Sequence, residues 1–329
     1  MANKPKITFA TNPNPRNRAL IDGLIPLDGY DFEYVGDKYT PGEMHYRFVQ
    51  GEFDVAEMST ATLMRAKEKG KPFLALPVFF QRGPRQRNIF HCAGKVDHPS
   101  QLKGKQIGAF RYGATAVSWA RGYLLDEHGI KTTDVGWFVS GQEVYIANEL
   151  PVKVERLDPP PPFGQEKSHL SRLLSEGKLG AALVAGDSGY TGLFGGGSLP
   201  RVMGEFPGVK PLFEDTDEIV GYVKRTQIYP IIHIMAMRAE TAEKYPDLPA
   251  KLIEAFREAN RQAVKYLKPA EAEGYAKERD VLGYDPYACV LTEGDKKSLK
   301  ALNRYQIEQG LVKSELPLES LFVKDAFGR

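Results

Sequence analysis

The chain has 329 residues, of which 42% are hydrophobic and 26% are charged, and its formal net charge is +2. This composition is typical of a globular protein of about two domains, and it excludes a disordered or fibrous chain. Because acidic and basic residues are interleaved, no one-sided positive field is predicted, and we expect no nucleic-acid partner.

Short apolar runs alternate with helical patterns in the first part of the chain, which is typical of α/β architecture. Lys6–Ala10 predicts a first strand that ends at an Asn-Pro repeat. Thr40 and Glu43 match a capping box, which predicts a helix over residues 40–50. We then expect a strand at Phe53–Met58, a helix at Ala61–Lys69 and a strand at Phe73–Phe80.

The same alternation starts again near Asp97, and it changes at Ile228. Between these points we expect strands at Gln106–Phe110, Val135–Val139 and Gly180–Ala185, helices at Thr115–His128 and Leu170–Ser175, and an extended connection at Pro159–Pro162. A β-rich run, Ile228–Met237, precedes a mostly helical tail. Since the tail has no strand pattern of its own, we expect it to pack on the first part of the chain.

Segments from residue 16 to about 322 resemble one known family. They are Arg16–Leu20, Gly51–Ser59, Leu102–Gly108, Trp119–Gly122, Ile228–His233 and Arg304–Leu311. The pattern of Leu102–Gly108 is common to the whole type II periplasmic-binding-protein-like superfamily, whereas Tyr-Pro-Ile-Ile-His is more specific. Together the segments resemble the 4,5-dihydroxyphthalate decarboxylase family, although residues 141–165 and 191–198 match no part of its pattern.

This resemblance implies an α/β fold of two lobes joined by two crossing strands, with a ligand cleft between the lobes. Lobe 1 would comprise residues 1–95 and 221–329, with the C-terminal helices packed back on it. Lobe 2 would comprise residues 96–220. The crossings would fall near Ile89–Gly94 and Val220–Thr226.

The implied function is cofactor-independent decarboxylation of a hydroxylated aromatic carboxylate or dicarboxylate such as 4,5-dihydroxyphthalate. His233 is the candidate proton donor, because imidazole delivers a proton near neutral pH. Taken alone, its apolar run is better explained by a core histidine, and the family resemblance reverses that preference. Of the other five histidines, His45, His98, His128 and His169 have polar neighbours and are expected to be solvated, while His91 remains a candidate.

Glu57 lies inside an apolar strand, so its carboxylate needs a partner. A histidine, an arginine or a phenolic hydroxyl of the ligand would serve, and we assign Glu57 to the catalytic site.

Arginines follow two of the predicted strands and suit a carboxylate ligand. Arg16 and Arg18 follow the first strand, and they either bind the substrate or are solvated in a loop. Arg82, Arg85 and Arg87 follow the strand at Phe73–Phe80 and form either an anion clamp or a solvated turn. We expect one of these three, such as Arg82, to face the cleft.

The remaining candidates for substrate binding lie at strand ends and helix starts. They are Ser59, Thr60, Tyr112, Thr115, Trp119, Asp187, Ser188 and Tyr229. Helix capping explains Ser59 and Thr60 equally well, core packing explains Trp119, and a plain turn explains Asp187 and Ser188. Tyr229 is expected to place its hydroxyl near His233.

Several classes of site and location are not predicted. The sequence has no metal-ligand spacing, phosphate loop or Gly-x-Ser-x-Gly elbow, so we expect no metal and no cofactor. Cys92 and Cys289 are expected to be buried thiols. No apolar run reaches the length of a signal peptide or of a membrane span, so we expect a cytoplasmic protein without a membrane partner.

The alternative function is a solute-binding protein for a small aromatic or carboxylate anion, serving ABC-type uptake or sensing. Both functions need the same cleft and the same arginines. The absence of a leader and the presence of His233 favour the enzyme, whose partner would be a small aromatic carboxylate. The sequence is also compatible with a homo-oligomer.

Overall fold

A computed structural model describes residues 4–141, 150, 152–156, 166–186, 192–194, 203 and 205–327. The chain divides into two units, each made of separate stretches of sequence. Unit 1 comprises Met1–Arg82, Ile231–Lys297 and Leu316–Arg329, and unit 2 comprises Gly83–Pro230 and Ser298–Glu315.

Strands and helices are numbered along the described chain. The strands are β1 (Lys6–Ala10), β2 (Asp31–Tyr34), β3 (Val55–Ser59), β4 (Phe73–Ala75), β5 (Gln81–Arg82), β6 (Ile89–Cys92), β7 (Gln106–Ala109), β8 (Gly136–Val139), β9 (Val154–Arg156), β10 (Ala181–Leu183), β11 (Val209–Pro211) and β12 (Ile231–Arg238). The helices are α1 (Arg18–Ile21), α2 (Pro41–Val49), α3 (Thr60–Glu68), α4 (Thr115–His128), α5 (Glu166–Ser175), α6 (Thr216–Thr226), α7 (Ala239–Lys244), α8 (Leu248–Arg261), α9 (Pro269–Leu282), α10 (Glu293–Glu308) and α11 (Leu318–Leu321). None of the helices in these ranges is long and apolar enough to cross a membrane.

The described part of unit 1 contains a six-stranded sheet in the order β2-β1-β3-β12-β4, with β5 also paired to β12. β1 is parallel to β2 and β3, whereas β12 runs antiparallel to β3. β4 is shorter than the predicted strand at Phe73–Phe80, because Pro77 has no N–H to donate to the neighbouring strand. Because β1 and β3 are parallel neighbours, their carboxyl ends meet at one edge of this sheet.

The core of unit 1 joins this sheet to the tail. Phe9 of β1 and Val55 of β3 are buried in one cluster with Leu252 and Phe256 of α8. Leu252 and Phe256, together with Ala259, recur at the 3.6-residue period of a helix and form one apolar face of α8. The tail is therefore held to unit 1 by burial of apolar surface, at least as far as α8.

The described part of unit 2 contains a second six-stranded sheet, in the order β11-β6-β10-β7-β8-β9. β7 is parallel to β8 and β10, whereas β6 is antiparallel to both β10 and β11. The predicted bounds of the helix at Thr115–His128 are confirmed by α4, which ends at Gly129 with φ +61°. A residue with a Cβ is strained at this φ, so glycine suits the helix end.

The second part of α10 packs in unit 2, which differs from the expectation that all C-terminal helices pack on lobe 1. Tyr305 meets Trp119 edge to face with ring centroids 5.6 Å apart. Gln309 accepts hydrogen bonds from Arg121 at 2.7 and 3.0 Å. A sequence period shows that a helix face is buried, but it does not show which partner covers that face.

The expected crossing strands are also placed wrongly. Ile89–Cys92 is β6, an internal strand of the second sheet, and residues 220–226 belong to α6. The chain passes between units at residues 82–83, 230–231, 297–298 and 315–316. The predicted bounds, 1–95 with 221–329 and 96–220, therefore differ from this division. The predicted connection at Pro159–Pro162 lies outside the described residues.

The packing of α4 against Tyr305 can be tested at Gly122. A Cβ there would lie 2.4 Å from the Tyr305 ring, whereas a Cβ at the exposed Gly221 of α6 would meet nothing within 4 Å. We expect Gly122→Ala to lower the free energy of unfolding by about 1–3 kcal/mol, because overpacking outweighs the gain in helix propensity. Gly221→Ala should raise it by about 0.5–1 kcal/mol. Urea unfolding followed by circular dichroism measures both changes, and equal effects would contradict this packing.

Candidate active site

Glu57 and His233 form a buried pair on neighbouring strands. In the antiparallel register, His233 lies opposite Ser59 and Met235 lies opposite Glu57. Opposite residues and residues two apart share one face of a sheet, so these side chains project together. His233 Nδ1 lies 2.7 Å from Glu57 Oε1. The alternation of side chains on β3 and β12 thus brings together two residues that are 176 positions apart in the chain.

The loop that follows β1 holds the other oxygen of Glu57. Oε2 accepts hydrogen bonds from the Thr11 hydroxyl at 2.7 Å, from the Asn12 backbone N–H at 2.8 Å and from the Asn12 side chain at 3.3 Å. Burial by itself raises the pKa of Glu57, but the hydrogen bond and charge of His233 together with the donors of this loop lower it to about 2. Glu57 is therefore a carboxylate at neutral pH. Of the three partners considered for it, the structure provides the histidine.

Asparagine side chains fix the shape of this loop. Asn17 donates from Nδ2 to the Asn12 carbonyl at 2.8 Å and to the Thr11 hydroxyl at 3.1 Å. Asn14 accepts from the backbone N–H of Arg16 at 2.9 Å. The loop is thus held by its own hydrogen bonds, and it carries the donors to Glu57 and Arg16 within one short stretch.

The second ring nitrogen of His233, Nε2, is available to a ligand. Nε2 makes no hydrogen bond to the described part of the chain, and the side chain is 16% exposed. Because an ionised carboxylate only accepts, Nδ1 carries the proton in the bond to Glu57. A protonated His233 would therefore present Nε2–H to a ligand, in the arrangement of a general acid oriented by a carboxylate.

His45 was expected to be solvated, and that prediction is wrong. The residue is 8% exposed on α2, and its ring meets that of His233 at 85° with centroids 4.9 Å apart. Met44, Phe48 and Val49 are buried on the same helix. Their spacing was the available signal, since residues 44, 45, 48 and 49 form one face of a helix.

Arg16 and Arg18 have different environments. Arg16 is 6% exposed and lies between the rings of Tyr275 and Tyr287, 3.9 and 3.5 Å from their centroids. Its Nη1 donates to Asn260 Oδ1 at 2.6 Å, and no carboxylate in the described ranges forms an ion pair with it. Arg18 is instead a surface residue with a 48% exposed side chain paired to Asp22, so its expected role in binding is not supported.

The expectation of a solvated turn or anion clamp at residues 82–87 is wrong for Arg82. This side chain is fully buried, where Nη1 lies 2.6 Å from Asp295 Oδ1 and 2.7 Å from the Pro286 carbonyl. Arg85 is buried as well. Arg87 donates to the Thr216 hydroxyl at 2.6 Å. These partners come from distant stretches of the chain, so the local sequence did not show them.

Ser59, the last residue of β3, and Thr60, the first residue of α3, were explained equally well by helix capping and by substrate binding. Ser59 makes no side-chain cap to this helix. The Thr60 hydroxyl donates across the sheet to the Ile232 carbonyl at 3.1 Å, which ties the start of α3 to the residue before His233. Thr60 therefore helps to hold the strand that carries His233. Ser59 lies directly opposite His233 in the strand register.

The other candidates lie in unit 2 or outside the described residues. Tyr112 and Trp119 are buried there, packed against Arg121 and Tyr305, so core packing accounts for them and ligand stacking does not. Thr115 is buried at the start of α4. Tyr229 is buried, and its N–H donates to the Ser298 hydroxyl. Asp187 and Ser188 lie outside the described residues.

Both cysteines lie within the described ranges. Cys92 and Cys289 are buried free thiols, as predicted. Within those ranges, no group of three or more His, Cys, Asp or Glu side chains is arranged to hold a metal ion.

Two curated proteins are similar in sequence to this chain. The 4,5-dihydroxyphthalate decarboxylase of Comamonas testosteroni is 30% identical over 282 residues, which cover 82% of this chain and 79% of the relative. The chain belongs to the 4,5-dihydroxyphthalate decarboxylase family. The protein of the same name from Pseudomonas putida is 31% identical over 55% of this chain and 70% of its own length. The relatives are carboxy-lyases, and no family model matches the chain.

Solved structures show the fold of this family member. The periplasmic aliphatic sulphonate binding protein SsuA from Escherichia coli matches with a TM-score of 0.59 and 11% identity, covering 99% of this chain and 100% of its own. The desulfurization enzyme DSZB matches with a TM-score of 0.54 and 12% identity over 99% of this chain and 98% of its own. The chain thus has the α/β fold of periplasmic binding proteins, as predicted. Because that fold occurs in a binding protein and in an enzyme, it does not by itself assign the function.

The lowered pKa of Glu57 predicts a loss of stability in acid. Its folded-state pKa of about 2 lies below the ordinary value of 4.5, so its contribution is present above pH 4.5 and is lost as the pH falls toward 2. We expect wild type to lose about 2 kcal/mol between pH 6 and pH 3 that Glu57→Gln does not lose. Urea unfolding of both proteins across this range measures the gap in the free energy of unfolding. A gap that stays constant with pH would contradict an ionised Glu57.

Proposed function

We propose that the protein decarboxylates a hydroxylated aromatic carboxylate or dicarboxylate, such as 4,5-dihydroxyphthalate, with His233 as the proton donor. The observation that carries the proposal is the buried Glu57–His233 pair with its open Nε2, in a chain of this family. Glu57 is assigned to orienting His233. This replaces the idea that Glu57 accepts from a ring hydroxyl, because both of its oxygens already have donors.

The chemistry requires a proton at the ring carbon that carries the carboxylate. A ring hydroxyl para to this carbon, once ionised or hydrogen-bonded, pushes electron density onto it. Nε2–H of His233 then gives its proton to the carbon, and a C–H bond forms. The bond to the carboxylate breaks next, its electron pair returns to the ring, and CO2 leaves. The ring-protonated intermediate accepts the electron pair of the breaking bond, so the proposed reaction uses no cofactor.

The charge of Glu57 supports His233 in this role. The carboxylate of Glu57 lies 2.7 Å from Nδ1 and orients the imidazole ring. It also fixes the proton on Nδ1, so that the second proton leaves from Nε2. After CO2 departs, His233 regains its proton from solvent, and the cycle needs no other acid.

Arg16 is proposed to bind a carboxylate of the substrate that is not released. A guanidinium that is 6% exposed ordinarily has an anionic partner, whereas Arg16 is held by two tyrosine rings and one neutral amide. A substrate carboxylate would supply the missing negative charge. The carboxylate that leaves as CO2 should lie in a less polar place, because strong pairing there would stabilise the ground state.

A solute-binding function for a small aromatic or carboxylate anion is the alternative, and turnover separates the two. It would use Arg16 in the same way, but it would need no proton donor at Nε2. We propose a place in the cytoplasmic breakdown of aromatic acids such as phthalates, which rests on the names of the relatives.

The proposed function predicts CO2 release from a panel of hydroxybenzoates and hydroxyphthalates. His233→Asn should lower kcat by about 10²–10⁴, the usual contribution of general acid catalysis, and should leave substrate affinity within a few-fold. His98→Asn, on the exposed surface, is the control and should change neither value. Tight binding of these acids without any turnover by wild type would favour the solute-binding function. Normal turnover by His233→Asn would assign the proton to another group.

The assignment of Arg16 predicts a selective loss of affinity. Arg16→Met removes one charge-assisted contact, so substrate binding should weaken by about 2–4 kcal/mol. Arg18→Met, two residues away on the surface, is the matched control and should bind normally. Isothermal titration with the preferred acid measures both, with thermal melts to verify folding. Equal affinity in the two variants would exclude Arg16 as the carboxylate ligand.

A further inference from the structure

His45 is a second histidine in direct contact with the proposed proton donor. Its ring stands at 85° to that of His233, with centroids 4.9 Å apart. Neither the mechanism above nor the resemblance to the family uses this residue. The contact is therefore a separate observation about the site.

The helix that carries His45 is firmly placed. The Thr40 side chain accepts from the Glu43 N–H, and Glu43 accepts in turn from the Thr40 N–H, so the start of α2 is closed by a capping box. Phe48 of the same helix packs on Phe73 of β4 with ring centroids 4.9 Å apart. An 8% exposed ring on such a helix has little freedom to move.

Two contacts of different kinds act on the ring of His233. The bond from Nδ1 to Glu57 fixes one edge, but it leaves the ring free to swing about that hydrogen bond. The perpendicular ring of His45 blocks this swing by contact. Together the two contacts restrict the ring of His233.

We propose that His45 is a positioning residue whose ring fixes the orientation from which His233 delivers its proton. This inference rests on the proposed function. The contact that carries the inference is one between two ring planes. A planar ring at position 45 should then be sufficient, with or without nitrogen atoms.

Leucine and phenylalanine at position 45 separate the effect of a planar ring from the effect of side-chain volume. His45→Leu fills the space without a planar ring, and we expect kcat to fall about tenfold with KM within twofold of wild type, because a misplaced donor slows the chemical step. His45→Phe restores the ring and should recover most of the lost kcat. Tyr46→Leu, on the exposed side of the same helix, is the control for general effects on α2 and should match wild type.

Histidine NMR gives a second measurement that needs no substrate. With ¹⁵N-labelled histidine, the ring signals of His233, assigned through His233→Asn, should stay sharp in His45→Phe and broaden in His45→Leu. Normal kcat in His45→Leu, or a kcat in His45→Phe as low as in His45→Leu, would overturn the proposal. If wild type releases no CO2 from any acid, the proposed function fails, and unchanged His233 signals in His45→Leu would then overturn the positioning role on their own.

Discussion

A buried carboxylate has to be compensated, and the site of this protein is built around that requirement. Glu57 sits inside an apolar strand, where an isolated charge would be very costly. The loop after β1 supplies three donors to one oxygen, and His233 supplies the fourth donor to the other. These donors stabilise the charged form of Glu57 and lower its pKa. The same condition that stabilises Glu57 therefore fixes the direction of His233.

The strand directions in the sheet of unit 1 bring these groups together. β1 and β3 are parallel and end at one edge, so the first residues after β1 already contact the last residues of β3. β12 enters between β3 and β4 in the opposite direction and brings His233 to that edge. The hydrogen bond of Thr60 to the Ile232 carbonyl then ties the following helix to the same strand. Each functional group is thus attached to a rigid element.

Three buried arginines differ in the groups that surround them. Arg82 has a buried carboxylate partner in Asp295, and the pair joins β5 to the start of α10. Arg121 has Gln309 and an aromatic surface, and it joins α4 to the segment after α10. Arg16 is also buried, and within the described chain it has rings and an amide where Arg82 has a carboxylate. This difference from Arg82 is the basis for proposing that Arg16 binds an anion from outside.

The sequence by itself indicated the α/β class, the approximate bounds of many helices and strands, the resemblance to the family, and Glu57 and His233 as candidate site residues. These follow from short-range patterns: capping residues, apolar periods, and a polar residue in an apolar run. Only the tertiary structure decided that Glu57 and His233 are partners, that Arg82 pairs with Asp295, that Ser298–Glu315 belongs to unit 2, and that His45 is buried against His233. The physical reason is that a local pattern shows whether a side chain must be buried or paired, whereas the identity of its partner depends on which distant element the fold brings within hydrogen-bond distance.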